Sequence, residues 1–71
     1  DEIGADLNEA AKYFKIAADN GDIESMFRFA MLILEGNGVK FDHDMAIFYL
    51  KMAAEKNHKL AIQKLNDLKI L

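Results

Sequence analysis

The feature that most constrains this chain is internal: shifted by 36 positions, it aligns with itself. Asp6 falls on Asp42, Ala10 on Ala46, Tyr13 on Tyr49, Lys15 on Lys51, Ala17 on Ala53, Ala18 on Ala54 and Leu32 on Leu68. Seven of 35 pairs are identical. Ordinary residue usage would give about two, so the chain reads as roughly two units of one period. Ile3 with Val39, Ile16 with Met52, Asp19 with Glu55 and Arg28 with Lys64 agree in kind. A unit of this length buries its apolar face on its neighbours, which makes the architecture quasi-one-dimensional.

Each unit divides into two helical stretches. The residues favour helix: there is no proline, and Ala, Leu, Ile, Lys, Glu and Met abound. Helices are predicted at about 7–20, 23–35, 43–56 and 59–71. Asp6 with Glu9 forms a capping box for the first. Asp22 and Asp42 are the N-caps of the second and third. Gly21 and Asn57, one period apart, suit the left-handed residue that closes a helix. Gly36-Asn37-Gly38 ends the second. Short connections force antiparallel neighbours. Ala10, Ala17, Ala46 and Ala53 recur seven apart, where a neighbouring helix can approach closely. The expected fold is all-α, a superhelix of stacked antiparallel helical hairpins.

Glu35-Gly36-Asn37-Gly38-Val39, followed by Asp42, Ala46, Tyr49, Lys51 and Ala53-Ala54, resembles the Sel-1-like repeat, a relative of the tetratricopeptide repeats. The resemblance covers essentially the whole chain. Phe29-Ala30 stands where that family usually has Leu-Gly, and Asn57 where it usually has a terminal glycine. In this register residues 1–21 are the second half of a repeat, 22–57 a complete repeat, and 58–71 a capping helix. Gln63, Asn66, Asp67 and Lys69 replace Phe27, Ala30, Met31 and Ile33 one period on. A terminal helix without a following neighbour needs such a wet face.

Several function classes are excluded or disfavoured. A net charge of −3 gives nothing to attract a polyanion, so nucleic acid is not an expected partner. The apolar run Ala30 to Leu34 is too short to insert into a membrane. A hydrophobic fraction of 52% is too high for a disordered tail. Without cysteine there is no thiol chemistry, and either redox compartment is allowed. Gly36-x-Gly38 lacks the preceding strand, third glycine and Gly-Lys-Ser/Thr ending of a phosphate loop. His43 and His58 flank one helix, roughly 22 Å apart at 1.5 Å per residue, and cannot share a metal within the chain. Ser25 takes the place of Ala61, a packing position, and no catalytic set is found. The chain is therefore read as non-catalytic, with no cofactor and no metal.

Two apolar sets are candidate interfaces. Phe27, Met31 and Leu34 follow i, i+4, i+7 spacing on the second helix. Similarity to tetratricopeptide arrays would place them, with Glu24 and Glu35, toward a concave surface that holds a protein or peptide. Their alternative is packing on an adjacent helix. Ile16, Phe48 and Met52 form a second, convex row, where burial competes with a partner chain or homo-oligomer. The resemblance implies an interaction scaffold or adaptor. The alternatives are a self-assembling structural fragment and a regulatory appendage of a larger enzyme.

Overall fold

The computed structural model describes residues 2–70, with side chains from Leu7 to Ile70. Among the described residues there are four α-helices and no strand. They are α1 (Glu2–Asp19), α2 (Ile23–Glu35), α3 (His43–Glu55) and α4 (Lys59–Asp67). Each packs antiparallel on the next in the order α1–α2–α3–α4. A Tyr49 hydrogen bond to Asp19 joins α3 to α1, and a His58 hydrogen bond to Glu24 joins the start of α4 to α2. The helices thus form two layers, α1 with α3 and α2 with α4. A thickness of 17 Å fits two layers of helix axes 8–10 Å apart.

All four helices end in one hydrogen-bond pattern. A residue at positive φ donates its N–H to the carbonyl three back, and the next residue donates to the carbonyl five back. The closing residues are Gly21, Gly36, Asn57 and Lys69, at φ 99°, 66°, 67° and 63°. The paired bonds are Gly21 to Ala18 with Asp22 to Ala17, and Gly36 to Ile33 with Asn37 to Leu32. Asn57 to Ala54 with His58 to Ala53, and Lys69 to Asn66 with Ile70 to Leu65, repeat them. The expectation at Gly21 and Asn57 holds. Lys69 has no residue-type signal for this geometry, and through it α4 stops at Asp67 rather than running to residue 71.

The N-termini differ more from the sequence reading. α1 begins at Glu2, so Asp6 lies within the helix and is not its cap. The repeat register sets Glu2 opposite Gly38. Gly38 takes φ 78°, a conformation that costs an L side chain about 1–2 kcal/mol. Without that glycine the stretch stays helical. Asp42 behaves as predicted: its Oδ1 accepts from Met45 N at 3.1 Å. Asp22 occupies the N-cap position, but its carboxylate accepts from the Ser25 hydroxyl instead of capping a backbone amide. His58 caps α4, its Nδ1 accepting from Ala61 N at 3.1 Å.

The core comprises Met26, Phe29, Ala30 and Ile33 of α2, Ala46, Tyr49, Leu50 and Ala53 of α3, Ala61 and Leu65 of α4, and Ala11 and Ala18 of α1. Full burial of Met26, Phe29, Ile33, Leu50 and Leu65 contributes roughly 1.5–3 kcal/mol apiece. Phe29 and Tyr49 meet edge to face at 5.0 Å and 85°. Half of the core residues are alanines, so the helix axes come close. The predicted close-contact pair holds on α3, where Ala46 and Ala53 are fully buried. On α1 it shifts: Ala11 and Ala18 are buried, while Ala10 and Ala17 are half-buried. The Gly38 backbone seats the α2–α3 loop on α1. A Cβ built there would land on the Leu7 carbonyl and 3.1 Å from Asn8 N.

Candidate protein-binding face

The outward side of α2 carries Glu24, Phe27, Arg28 and Met31, while Met26, Phe29, Ala30 and Ile33 point to the core. Three to four residues separate members of each set, so one helix turns two faces to two environments. Phe27 and Met31 are half-buried and line an open cavity of about 230 Å³. Phe14 of α1 forms its far wall, and Arg28 and Leu32 complete it. The lining is almost wholly apolar, with the Arg28 guanidinium as its one charge.

A polar cluster borders this surface. The Phe27 ring stacks on His58 at 4.8 Å and 22°. His58 Nδ1 accepts from the Ala61 amide, so in the neutral ring the proton sits on Nε2. That Nε2–H donates to Glu24 Oε1 at 2.7 Å. Arg28 Nε donates to the other Glu24 oxygen at 2.9 Å. The His58 hydrogen bond, aided by Arg28 and opposed by partial desolvation, holds the Glu24 carboxyl below its ordinary value. Glu24 therefore ties α2 to α4. On the other layer, Asp19 accepts from Lys15 Nζ at 2.9 Å and from the Tyr49 hydroxyl at 2.8 Å. The Lys15 hydrogen bond first, then that of Tyr49, lowers its carboxyl. Burial first, then Asp19, pushes the Tyr49 phenol up to about 12.

The predicted concave set divides. Phe27 and Met31 come together at the cavity, with Glu24 beside Phe27. Leu34 lies outside the cavity lining, partly buried against the core as Phe27 also is, and exposed Glu35 accepts from Asn37 Nδ2 at 3.0 Å. The convex row divides too. Ile16 and Phe48 are 62% and 58% exposed, whereas Met52 packs against the core. Phe14, Arg28, Leu32 and His58 are not among the binding residues expected from the sequence. Phe14 was legible as the counterpart of Leu50 in the register, but His58 needed Glu24, 34 residues away, to fix its role. Exposed His43 lies 3.7 Å from Asp44. Among the described residues no cluster has the makings of a metal site, and no helix is long and apolar enough to cross a membrane.

Comparison with known proteins matches residues 1–22 and 23–58 to the Sel1 repeat. The chain is 40% identical over 57 residues to the chitin synthase regulator SKT5 of Saccharomyces cerevisiae. The match covers 80% of this chain and 8% of that protein. No solved structure matches.

Proposed function

The chain belongs to the Sel1 repeat family, and from that premise we propose that it is a non-catalytic scaffold or adaptor module that holds another protein against the outer face of α2. The observation that carries this reading is the open apolar cavity bounded by Phe27 and Met31. Exposed apolar surface that is concave and rimmed by charge is the kind that docks a peptide or helix. Phe27 and Met31 supply the apolar contact, and the Arg28–Glu24 pair at the rim offers hydrogen bonds to polar groups beside the partner's apolar ones. The name of the relative, a chitin synthase regulator, supports a regulatory role. Polar Gln63, Asn66 and Asp67 on α4, all exposed, support α4 as the capping helix of a repeat stack.

Completing the burial of two half-buried side chains contributes roughly 1–1.5 kcal/mol each. Losing both weakens a complex on the order of 30–150-fold. The test is affinity capture with the wild-type chain and with Phe27→Ala/Met31→Ala, checked for retained helicity by circular dichroism. Proteins recovered equally by both forms would refute the concave-face reading. Exposure of Ile16 and Phe48 favours a second reading, self-association through the convex side. A chain that sediments as a monomer up to millimolar concentration would exclude it.

A further inference from the structure

The chain contains two Asn-Gly pairs, Asn20-Gly21 and Asn37-Gly38. Each lies just after a helix, and both asparagines are exposed. The backbone nitrogen that follows an asparagine can attack its side-chain amide. Glycine leaves that attack unhindered, because it puts no Cβ beside the closing ring.

The two pairs are held differently. At the first, Gly21 N–H donates to the Ala18 carbonyl at 2.9 Å and Asn20 Nδ2 to the Ile16 carbonyl at 2.9 Å. The attacking and the leaving nitrogen are both bonded to α1. At the second, Asn37 Nδ2 donates to the exposed Glu35 carboxylate at 3.0 Å. Among the described residues no group accepts from the Gly38 N–H. Asn37 N–H donates to the Leu32 carbonyl at 3.0 Å, but that nitrogen lies outside the five-membered ring that would form. Packing also holds the reactive pair in the sequence. Gly38 stands at φ 78°, and a Cβ there would strike the Leu7 carbonyl. The fold thus keeps at this position the residue that least hinders reaction of Asn37.

We infer that Asn37 is a site of spontaneous modification, converting in the folded chain to aspartate and isoaspartate, while Asn20 is protected. The Gly38 nitrogen gives its proton to hydroxide and bonds to Asn37 Cγ. The Cγ–Nδ2 bond breaks, and the amide nitrogen takes a proton from water and leaves as ammonia. Water then opens the succinimide. Attack at Cγ gives aspartate. Attack at the main-chain carbonyl carbon gives isoaspartate, in which the chain runs through Cβ and Cγ. One water is consumed and one ammonia released, with no change of oxidation state. Isoaspartate lengthens the main chain by one methylene immediately before Gly38, which unseats the loop from α1. Either product also sets a second carboxylate beside Glu35, where an amide donated before.

The chain, folded or in urea, is kept in mildly alkaline buffer, and its peptides are followed by mass spectrometry with fragmentation that separates isoaspartate from aspartate. In urea the two pairs should convert at similar rates. In the folded chain Asn37 should convert about tenfold faster than Asn20, because only Asn20 must first give up two backbone-anchored hydrogen bonds. Equal rates in the folded chain, or a faster Asn20, overturn the inference. Asn37→Gln, whose ring would have six members, should stop conversion at this position. Continued ammonia release from position 37 in that variant would overturn the ring mechanism. The isoaspartate form, isolated by ion exchange, should melt below Asn37→Asp, which carries the same charge without the added methylene. Identical midpoints would overturn the unseating of the loop.

Discussion

Replacing Tyr49 by phenylalanine tests the bond that ties the two repeat units together on the α1–α3 layer. The ring is 5% exposed, and phenylalanine keeps its volume and its edge contact with Phe29, so no cavity opens. Only the hydroxyl at 2.8 Å from Asp19 Oδ1 is lost. Hydrogen bonds to charged groups are worth about 1.5–3 kcal/mol. The lower end applies, because the Asp19 side chain is 45% exposed and keeps Lys15 at 2.9 Å. About 1.5 kcal/mol corresponds to a fall of about 6–12 °C in midpoint for a domain of this size. Thermal melts followed by circular dichroism at pH 7 would measure it, and Asp19→Asn should add little once the hydroxyl is gone. Burial of the same hydroxyl, with Asp19 beside it, has an alkaline signature. The Tyr49 phenol is raised from 10.0 to about 12, so the folded chain holds that proton more tightly than the unfolded chain. Its contribution is intact below pH 10 and is lost as pH rises through 12, by up to roughly 2–3 kcal/mol. Tyr49→Phe should remove this slope. A variant that melts at or above the wild-type midpoint, with the alkaline slope unchanged, would refute the reasoning.

Gly38→Ala and Gly21→Ala separate backbone strain from steric contact. Both sit at positive φ, but a Cβ at Gly21 meets nothing within 4 Å while one at Gly38 strikes the α1 backbone. Gly21→Ala should cost about 1–2 kcal/mol and Gly38→Ala clearly more, by urea midpoint; equal costs would show that the loop is not seated on α1. His58→Ala removes the α4 cap, at about 1 kcal/mol, together with the Glu24 bond, and should speed hydrogen exchange at the Ala61 amide. His58→Asn should restore protection there, and unchanged exchange in the alanine variant would count against the cap. Asp19 and Glu24 titrate below their ordinary values of 3.8 and 4.5. Their folded-state contribution is present above pH 4.5 and is lost as pH falls below about 4, so the midpoint should drop between pH 6 and pH 3. In a Glu24→Gln/Asp19→Asn double variant that drop should shrink.

What the sequence made legible was what depends on local chemistry and on period. Helix α2 lies at 23–35 as read, α3 and α4 start where Asp42 and the Asn57 turn put them, and Gly21 and Asn57 adopt positive φ. These follow from residue type and spacing alone. The misreadings arose where a distant neighbour decides. The imidazole of His58 can cap α4 only as one tautomer, and Glu24 sets that tautomer from another helix. Ala10 and Ala17 fit the close-contact pattern as well as Ala46 and Ala53 do, yet burial depends on a neighbour that periodicity cannot supply. Leu34 and Met52 share the spacing of their sets but are partly buried against the core, because the apolar stripe is wider than the outward face. Lys69 takes a left-handed turn that its side chain does nothing to announce.

The alanine-rich seams between helices have a mechanical consequence. An alanine has no χ angle to change, so a seam built on Ala30, Ala46, Ala53 and Ala61 cannot absorb a displacement by switching rotamers, as a seam of leucines or methionines can. A push on α4 is then passed to α3, α2 and α1 as rigid-body motion rather than dissipated in the packing. Such a module is expected to move as one stiff unit, softest at the half-buried side chains on the rim of the cavity. Methyl relaxation should report uniformly high order at those four alanines and lower order at Met31. A seam alanine as mobile as Met31 would show that the unit bends.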